Sequence, residues 1–271
     1  MQVAAIQMVS TPDVEHNLQS AGALIAQAAA GGAQLALLPE YFCLMGQRDD
    51  DKLRLAERPG DGPIQQFLSD TARRHGLWLI GGTLPLRTSD PARVLNACCT
   101  YAPDGSALER YDKVHLFAYD NGQECYDEGR VLQAGALPVV VQAGPLRVGL
   151  SICYDLRFPE LYRAMMTPPC DLIVVPAAFT YTTGRAHWDL LLRARAVENQ
   201  CYVLAAAQGG THPNGRRTWG HSQLIDPWGE VVALQAEGEG VVKGELDAAR
   251  IAQVRQQLPA LAHRRPQFRS M

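Results

Sequence analysis

Three residues of this 271-residue chain could carry covalent chemistry together: Glu40, Lys113 and Cys153. Cys153 stands in LRVGLSICYDLRFPE (146–160), where an apolar run stops and Tyr, Asp and Arg crowd in behind it. Glu40 ends a second apolar run, AQLALLPE (33–40), and Lys113 lies within a third, less apolar one, SALERYDKVHLF (106–117). A carboxylate in a poorly solvated pocket could take the thiol proton and later hand it to a leaving amine. An ammonium beside the reacting carbon, with the backbone N–H of Tyr154 as a second donor, would stabilise an oxyanion by about 3 kcal/mol per donor. Attack on an amide carbonyl would then give a thioester and release an amine. Taken singly, each residue has a plainer reading: Cys153 as a small core hydrophobe, Glu40 as the start of a loop, Lys113 as a solvated charge on a strand edge. Only convergence in space would separate the two readings.

The elements that must position them alternate. Strand-like runs at 3–9, 33–40, 77–86 and 96–103 are interleaved with helical patterns at 17–30 and 62–76. The later half repeats the habit, with LRVGLSIC, a helix near FPELYRAMM, DLIVVPAAF, a helix over 185–200 and CYVLAAAQ (201–208). That alternation predicts an α/β layered fold. Turn signals at Pro103-Asp104-Gly105 and Pro227-Trp228-Gly229 add hairpins, so the sheet is expected to be mixed. Strand ends are where such folds place their sites. No linker, repeat or low-complexity stretch divides the chain, which predicts one domain over 1–271 with a basic, proline-bearing C-terminal arm from about 248.

Composition narrows the partners. With 47% hydrophobic and 20% charged residues and a formal net charge of −3, the chain lacks the basic excess that nucleic acid requires. No apolar run approaches a bilayer span and the N-terminus has no basic leader, so a cytoplasmic protein without membrane contact is expected. The seven cysteines form no Cys-x-x-Cys pair and the seven histidines no zinc-binding spacing, so neither a disulfide framework nor a metal is expected.

The ordered segments LLPEYF (37–42), RYDKVHLF (110–117), CYDLRFPELYR (153–163), AHWDLLLRARAVENQCYVLAAAQ (186–208) and GHSQLIDPWGEV (220–231) resemble the carbon–nitrogen hydrolase (nitrilase) superfamily. The resemblance implies a four-layer α-β-β-α sandwich, a homodimer or higher even oligomer associating through helices, no cofactor, and catalysis by Glu40, Lys113 and Cys153. It also implies a second glutamate in the loop after the lysine. Counting toward the VLQAG run gives Glu128, with Glu124 as the fallback. The loop departs from the family, with Ala118 for a usual Asp and Gly129 for a usual Ser. Tyr154-Asp155 replaces the Trp-Glu of true nitrilases, which favours an amidase. Within the superfamily the chain looks most like the Nit branch, whose amidases act on small carboxylate-bearing linear amides. AAAQGGTH (205–212), with Gln208, resembles the enzymes that cleave deaminated glutathione more than the ω-amidases that cleave α-ketoglutaramate.

Tyr41, Tyr154, Phe179 and Thr180 flank the strand ends and are candidates to line a substrate pocket. Arg185 is nominated to meet a substrate carboxylate. Arg157 could do the same, but Asp155 and Glu160 nearby make a structural salt bridge the stronger expectation. Trp188, Leu191, Leu192 and Ala196 share one helical face for core or dimer packing, with His187 and Glu198 expected to be structural. Three other functions compete with the amidase: a true nitrilase using the same trio on a nitrile, a papain-like Cys-His protease, requiring His115, His187 or His221 at Cys153, and a non-catalytic scaffold.

Overall fold

Period-two burial builds the centre of the molecule. In the computed structural model, which describes residues 1–265, β1 (Gln2–Gln7) and β2 (Leu35–Leu37) are buried on both faces. Val3, Ala5, Leu35 and Leu37 face one core, while Ala4, Ile6, Ala36 and Leu38 face another, as alternation along a strand demands. The remaining strands are β3 (Trp78–Ile80), β4 (Leu84–Arg87), β5 (Val94–Tyr101), β6 (Ala107–Asp112), β7 (Ala118–Asp120), β8 (Cys125–Asp127), β9 (Val139–Ala143), β10 (Leu146–Leu150), β11 (Leu172–Ala177), β12 (Tyr202–Ala207), β13 (Ser222–Ile225), β14 (Val231–Gln235) and β15 (Gly240–Glu245). One sheet runs β15-β1-β2-β3-β5-β4 with β6 also on β5; the other runs β14-β13-β12-β11-β10-β9. The sheets face each other through β1, β2 and β12, and β7 and β8 form a separate hairpin.

The helices are α1 (Val14–Ala30), α2 (Asp51–Leu55), α3 (Pro63–His75), α4 (Pro159–Ala164), α5 (Tyr181–Asn199) and α6 (Ala248–Gln257). Against the outer face of the first sheet lie α1 and α3. The first presents Asn17, Ala21, Ile25 and Ala28 at helical spacing, and Asp13 caps it by accepting the His16 N–H at 3.1 Å. The buried Glu57 carboxylate caps α3, accepting the N–H groups of Ile64 and Gln65 at 2.6 and 3.1 Å. Covering the second sheet, α5 buries Trp188, Leu192 and Ala196. The result is the four-layer α-β-β-α sandwich that the sequence resemblance implied. Ala248–Gln257, the start of the expected arm, is a helix that buries Ile251 and Val254; Arg255 bonds the Gln200 carbonyl at 3.1 Å and the Cys170 carbonyl at 2.6 Å. The end of that arm, 266–271, lies outside the described residues.

Two expectations are refined. The run 77–86 is two strands rather than one, because the chain turns at Gly81-Gly82; Gly82 has φ 58°, and a Cβ there would run into the Pro39 carbonyl oxygen. The run 106–117 is a strand only to Asp112, which leaves Lys113 just beyond its end instead of within it. Both expected hairpins, β5-β6 and β13-β14, are antiparallel pairs.

Candidate active site

Four strands of two sheets end at one place. Glu40 follows β2 by way of Pro39, Lys113 follows β6, Cys153 follows β10, and Ala178 follows β11. All four residues are buried. The Glu40 carboxylate accepts three protein hydrogen bonds: at Oε1 from Asn96 Nδ2 at 2.9 Å and Lys113 Nζ at 2.8 Å, and at Oε2 from the Ala178 N–H at 2.9 Å. The Cys153 side chain lies beside it, the two lining one pocket. On its other side Lys113 Nζ meets Glu128, at 2.8 Å from Oε2 and 3.0 Å from Oε1. Glu128 in turn accepts the Tyr41 hydroxyl at 2.7 Å and the Phe117 N–H at 2.8 Å. One buried ammonium thus sits between two carboxylates, and Cys153 shares a pocket with both. Glu124, the fallback, lies elsewhere and accepts from Thr182 Oγ1 at 2.8 Å.

The backbone is bent to make this possible. Tyr41 and Cys153 adopt left-handed φ values of 58° and 48°, so the residue after the glutamate and the cysteine itself are both held in conformations that side chains resist. Asp155 braces the turn after Cys153: it accepts the Ile152 N–H at 2.8 Å, the Tyr111 hydroxyl at 2.7 Å and the His115 N–H at 3.1 Å, and lies 2.7 Å from His115 Nδ1. Gln208 holds the other strand end. Its Nε2 donates to the Glu40 carbonyl at 3.0 Å and to Ser10 Oγ at 2.8 Å, and its Oε1 accepts the Ser10 N–H at 3.0 Å.

Electrostatics follow from this arrangement. Burial alone would lower the Lys113 ammonium, but the Glu128 and Glu40 carboxylates outweigh it and hold its pKa well above the ordinary value. Burial pushes Glu128 upward, and Lys113 outweighs that, leaving its carboxyl below the usual range. Burial and then the Glu40 charge push the Cys153 thiol far up, with Lys113 opposing. The resting cysteine is therefore a thiol, and any nucleophile forms by passing its proton to the carboxylate beside it.

A small pocket opens over Cys153, with room of about 10 Å³, scarcely one water's worth. Of the expected lining residues, Tyr154, Phe179 and Thr180 are there, beside Phe117, Thr183 and two arginines, Arg157 and Arg216. Tyr41 lies behind Glu128 and opens onto an adjoining groove. Arg185 does not reach the pocket. The buried stripe of α5 runs through Thr183, Gly184 and Trp188, and Arg185, two residues beyond Thr183, is turned to solvent. Arg157 corrects a second expectation: among the described residues it pairs with no carboxylate, because Asp155 is turned inward. Its guanidinium lies 5.8 and 5.4 Å from the Tyr154 and Phe179 ring centroids and contacts His187 Nδ1 at 3.2 Å. His115 is engaged by Asp155 and stacked on Phe158, and His221 is stacked on Trp219, so these rings serve structure. Asn96 and Arg216 were missed. Asn96 is the one polar residue in the apolar run VLNACC, and that was its signal; Arg216, in a turn-rich GRRT stretch, had none.

The carbon–nitrogen hydrolase family model matches residues 2–256. A deaminated glutathione amidase of Synechocystis is 42% identical over 265 residues, covering 96% of this chain and 97% of its own. An omega-amidase, NIT2, of Danio rerio is 37% identical over 265 residues, covering 97% and 94%. Among solved structures, Saccharomyces cerevisiae Nit3, described as a member of branch 10 of the nitrilase superfamily, superposes with a TM-score of 0.88 at 31% identity, covering 98% of this chain and 96% of its own.

Proposed function

Because the chain belongs to the carbon–nitrogen hydrolase family, we propose that it is a thiol amidase that hydrolyses a small carboxylate-bearing linear amide, deaminated glutathione foremost. The observation that carries this reading is the buried Glu40 carboxylate, bonded to the Lys113 ammonium and sharing the lining of one pocket with Cys153. Glu40 takes the thiol proton as Cys153 Sγ bonds to the amide carbon. The carbonyl electrons move onto oxygen, which the third proton of Lys113 Nζ and the Tyr154 N–H stabilise. The carbonyl re-forms, the C–N bond breaks, and Glu40 gives the proton to the departing amine. Water then loses a proton to Glu40 as its oxygen bonds to the thioester carbon, the S–C bond breaks, and Glu40 returns the proton to sulfur. Glu128 holds Lys113 in place for both steps, and Arg157, beside Tyr154 and Phe179 and without a carboxylate partner among the described residues, is suited to the acyl-side carboxylate.

The omega-amidase relative supports α-ketoglutaramate as a second substrate candidate. Amine or ammonia release from deaminated glutathione, α-ketoglutaramate, glutamine and a simple nitrile, with wild type and Cys153→Ala side by side, tests the reading. Deaminated glutathione should be cleaved fastest, and the variant should be inactive yet folded. Turnover by Cys153→Ala would sink the mechanism, and a preference for the nitrile would make the chain a nitrilase.

We also read the protein as a cytoplasmic homodimer. Seven unpaired cysteines suit a reducing compartment. Exposed Leu190 and Val197 on α5, with Trp228, Val231, Val232 and Leu234 at β14, offer apolar surface for a second copy. Among the described residues no helix is long and apolar enough to cross a membrane. A monomeric mass in sedimentation would remove the dimer from this reading.

A further inference from the structure

The pocket over Cys153 is too small for a whole substrate, but it is not isolated. Arg216 lines both it and an open groove of about 560 Å³, and Tyr41, the residue after Glu40, lies on the groove side. The groove holds four cations, Arg48, Lys52, Arg216 and Arg217, against two carboxylates, Asp49 and Glu124. Both carboxylates are engaged: Asp49 with Lys52 at 3.6 Å, Glu124 with Thr182 at 2.8 Å. Arg216 and Arg217 have no carboxylate partner among the described residues. Arg216 donates from Nη2 to the Ala178 carbonyl at 2.8 Å, and its Nε is buried without any partner. A buried guanidinium N–H left unsatisfied is costly, and its natural complement is a carboxylate oxygen. Lys52 is mostly covered, its ammonium 5.0 Å over the Tyr41 ring, so the positive end of the groove reaches the catalytic cluster.

The side of the scissile bond that faces this groove follows from proton delivery. Glu40 must reach the departing nitrogen, and the groove begins at Tyr41 beside it. Arg157, on the turn that also carries the Tyr154 N–H, lies with the carbonyl side. We infer that the groove is an amine-side subsite, in which Arg216 and Lys52, with Arg217 at its outer edge, bind a carboxylate carried by the leaving amine. The inference rests on the amidase reading and deepens it: the enzyme would take amides of carboxylated amines, such as a dipeptide leaving group, rather than primary amides alone. The two-cation excess matches one such carboxylate with its neighbouring peptide carbonyls.

Two substrates with the same acyl half test this. Deaminated glutathione releases cysteinylglycine, whereas α-ketoglutaramate releases ammonia and cannot touch the subsite. In Lys52→Met and in Arg217→Gln, kcat/KM for deaminated glutathione should fall by about tenfold or more, as for loss of a charge-assisted contact, while α-ketoglutaramate stays within about twofold. Deaminated glutathione amidated at its C-terminus should be poor for wild type and indifferent to Lys52→Met. Equal losses on both substrates, or none on either, would overturn the subsite and leave the amidase reading standing. Binding of cysteinylglycine and of its C-terminal amide, measured calorimetrically, needs no turnover. Tighter binding of the free carboxylate that vanishes in Lys52→Met supports the subsite even if neither amide is cleaved. Indistinguishable binding of the two refutes it.

Discussion

Replacing Lys113 by Met keeps the length of the side chain and removes the one cation between Glu40 and Glu128, so stability and chemistry should fail together. Both carboxylates are within 2.8 Å of Nζ, and Glu40 is fully enclosed. Breaking a buried pair from one side leaves an uncompensated charge, which costs about 3–5 kcal/mol. At about 2–4 °C per kcal/mol for a chain of this size, the thermal midpoint should drop on the order of 10 °C. The pH dependence should change sign as well. In the wild type Glu128 is held below its ordinary 4.5, so its contribution is present above about that pH and is lost as pH falls through the lower folded value. Lys113 is held above its ordinary 10.5, so its contribution is present below that and is lost only as pH rises through the still higher folded value. The cluster is therefore insensitive between these limits. In Lys113→Met, burial of Glu128 is opposed only by the Tyr41 and Phe117 hydrogen bonds, so its carboxyl rises; stability is then greatest in acid and declines as pH climbs through the raised value. Differential scanning calorimetry at pH 5 and pH 8 reads this directly. Activity should fall about 10²–10³-fold in kcat from the lost oxyanion donor. A midpoint within about 2 °C of wild type at both pH values, or parallel pH curves, would refute the account of the cluster.

Glu40→Gln keeps the shape of the side chain but cannot accept the thiol proton and loses one of its donor partners to its own NH2 group, so kcat/KM should drop about 10²–10⁴-fold in a chain that still folds with a lowered thermal midpoint; steady-state kinetics and circular dichroism together check it, and a loss of less than about tenfold would remove Glu40 as the base. Gly82→Ala places a Cβ on a left-handed residue against the Pro39 carbonyl, so it should lower both the thermal midpoint and kcat, without changing the shape of the pH–rate profile. His212 is buried between the Ser10 carbonyl and Thr218 Oγ1, each 2.8 Å away, and burial lowers its pKa to about 4. Because the folded value lies below the ordinary 6.5, stability should be lost as pH falls from 6.5 toward 4, by roughly 3 kcal/mol in all; His212→Gln should flatten that slope in urea titrations at successive pH values.

What was legible in the sequence depended on whether the signal was local. Glu40 and Cys153 announce themselves because each interrupts an apolar run, and a strand end in a layered α/β fold is a fixed place in space. Lys113 stands in a run that reads as one strand, and only the structure shows the strand ending a residue before it. Glu128 was reached by counting along a loop that departs from the family pattern, not from any periodicity. The arginines were harder, since their value lies in what does not pair with them. Arg157 has two carboxylates within three residues, yet the turn after Cys153 commits Asp155 to Ile152, Tyr111 and His115, so proximity along the chain misled.

That same commitment ties the reading of the site together. Asp155, which braces the turn after Cys153, is committed to Ile152, Tyr111 and His115 and so is not free to neutralise Arg157. Arg157 and Arg216 both line the pocket over Cys153 and remain without carboxylate partners among the described residues. An enzyme of ammonia-releasing amides alone would need a cation only on the acyl side. A second guanidinium, whose buried Nε has no partner and which meets no carboxylate among the described residues, is most simply accounted for by a substrate that carries a carboxylate at each end.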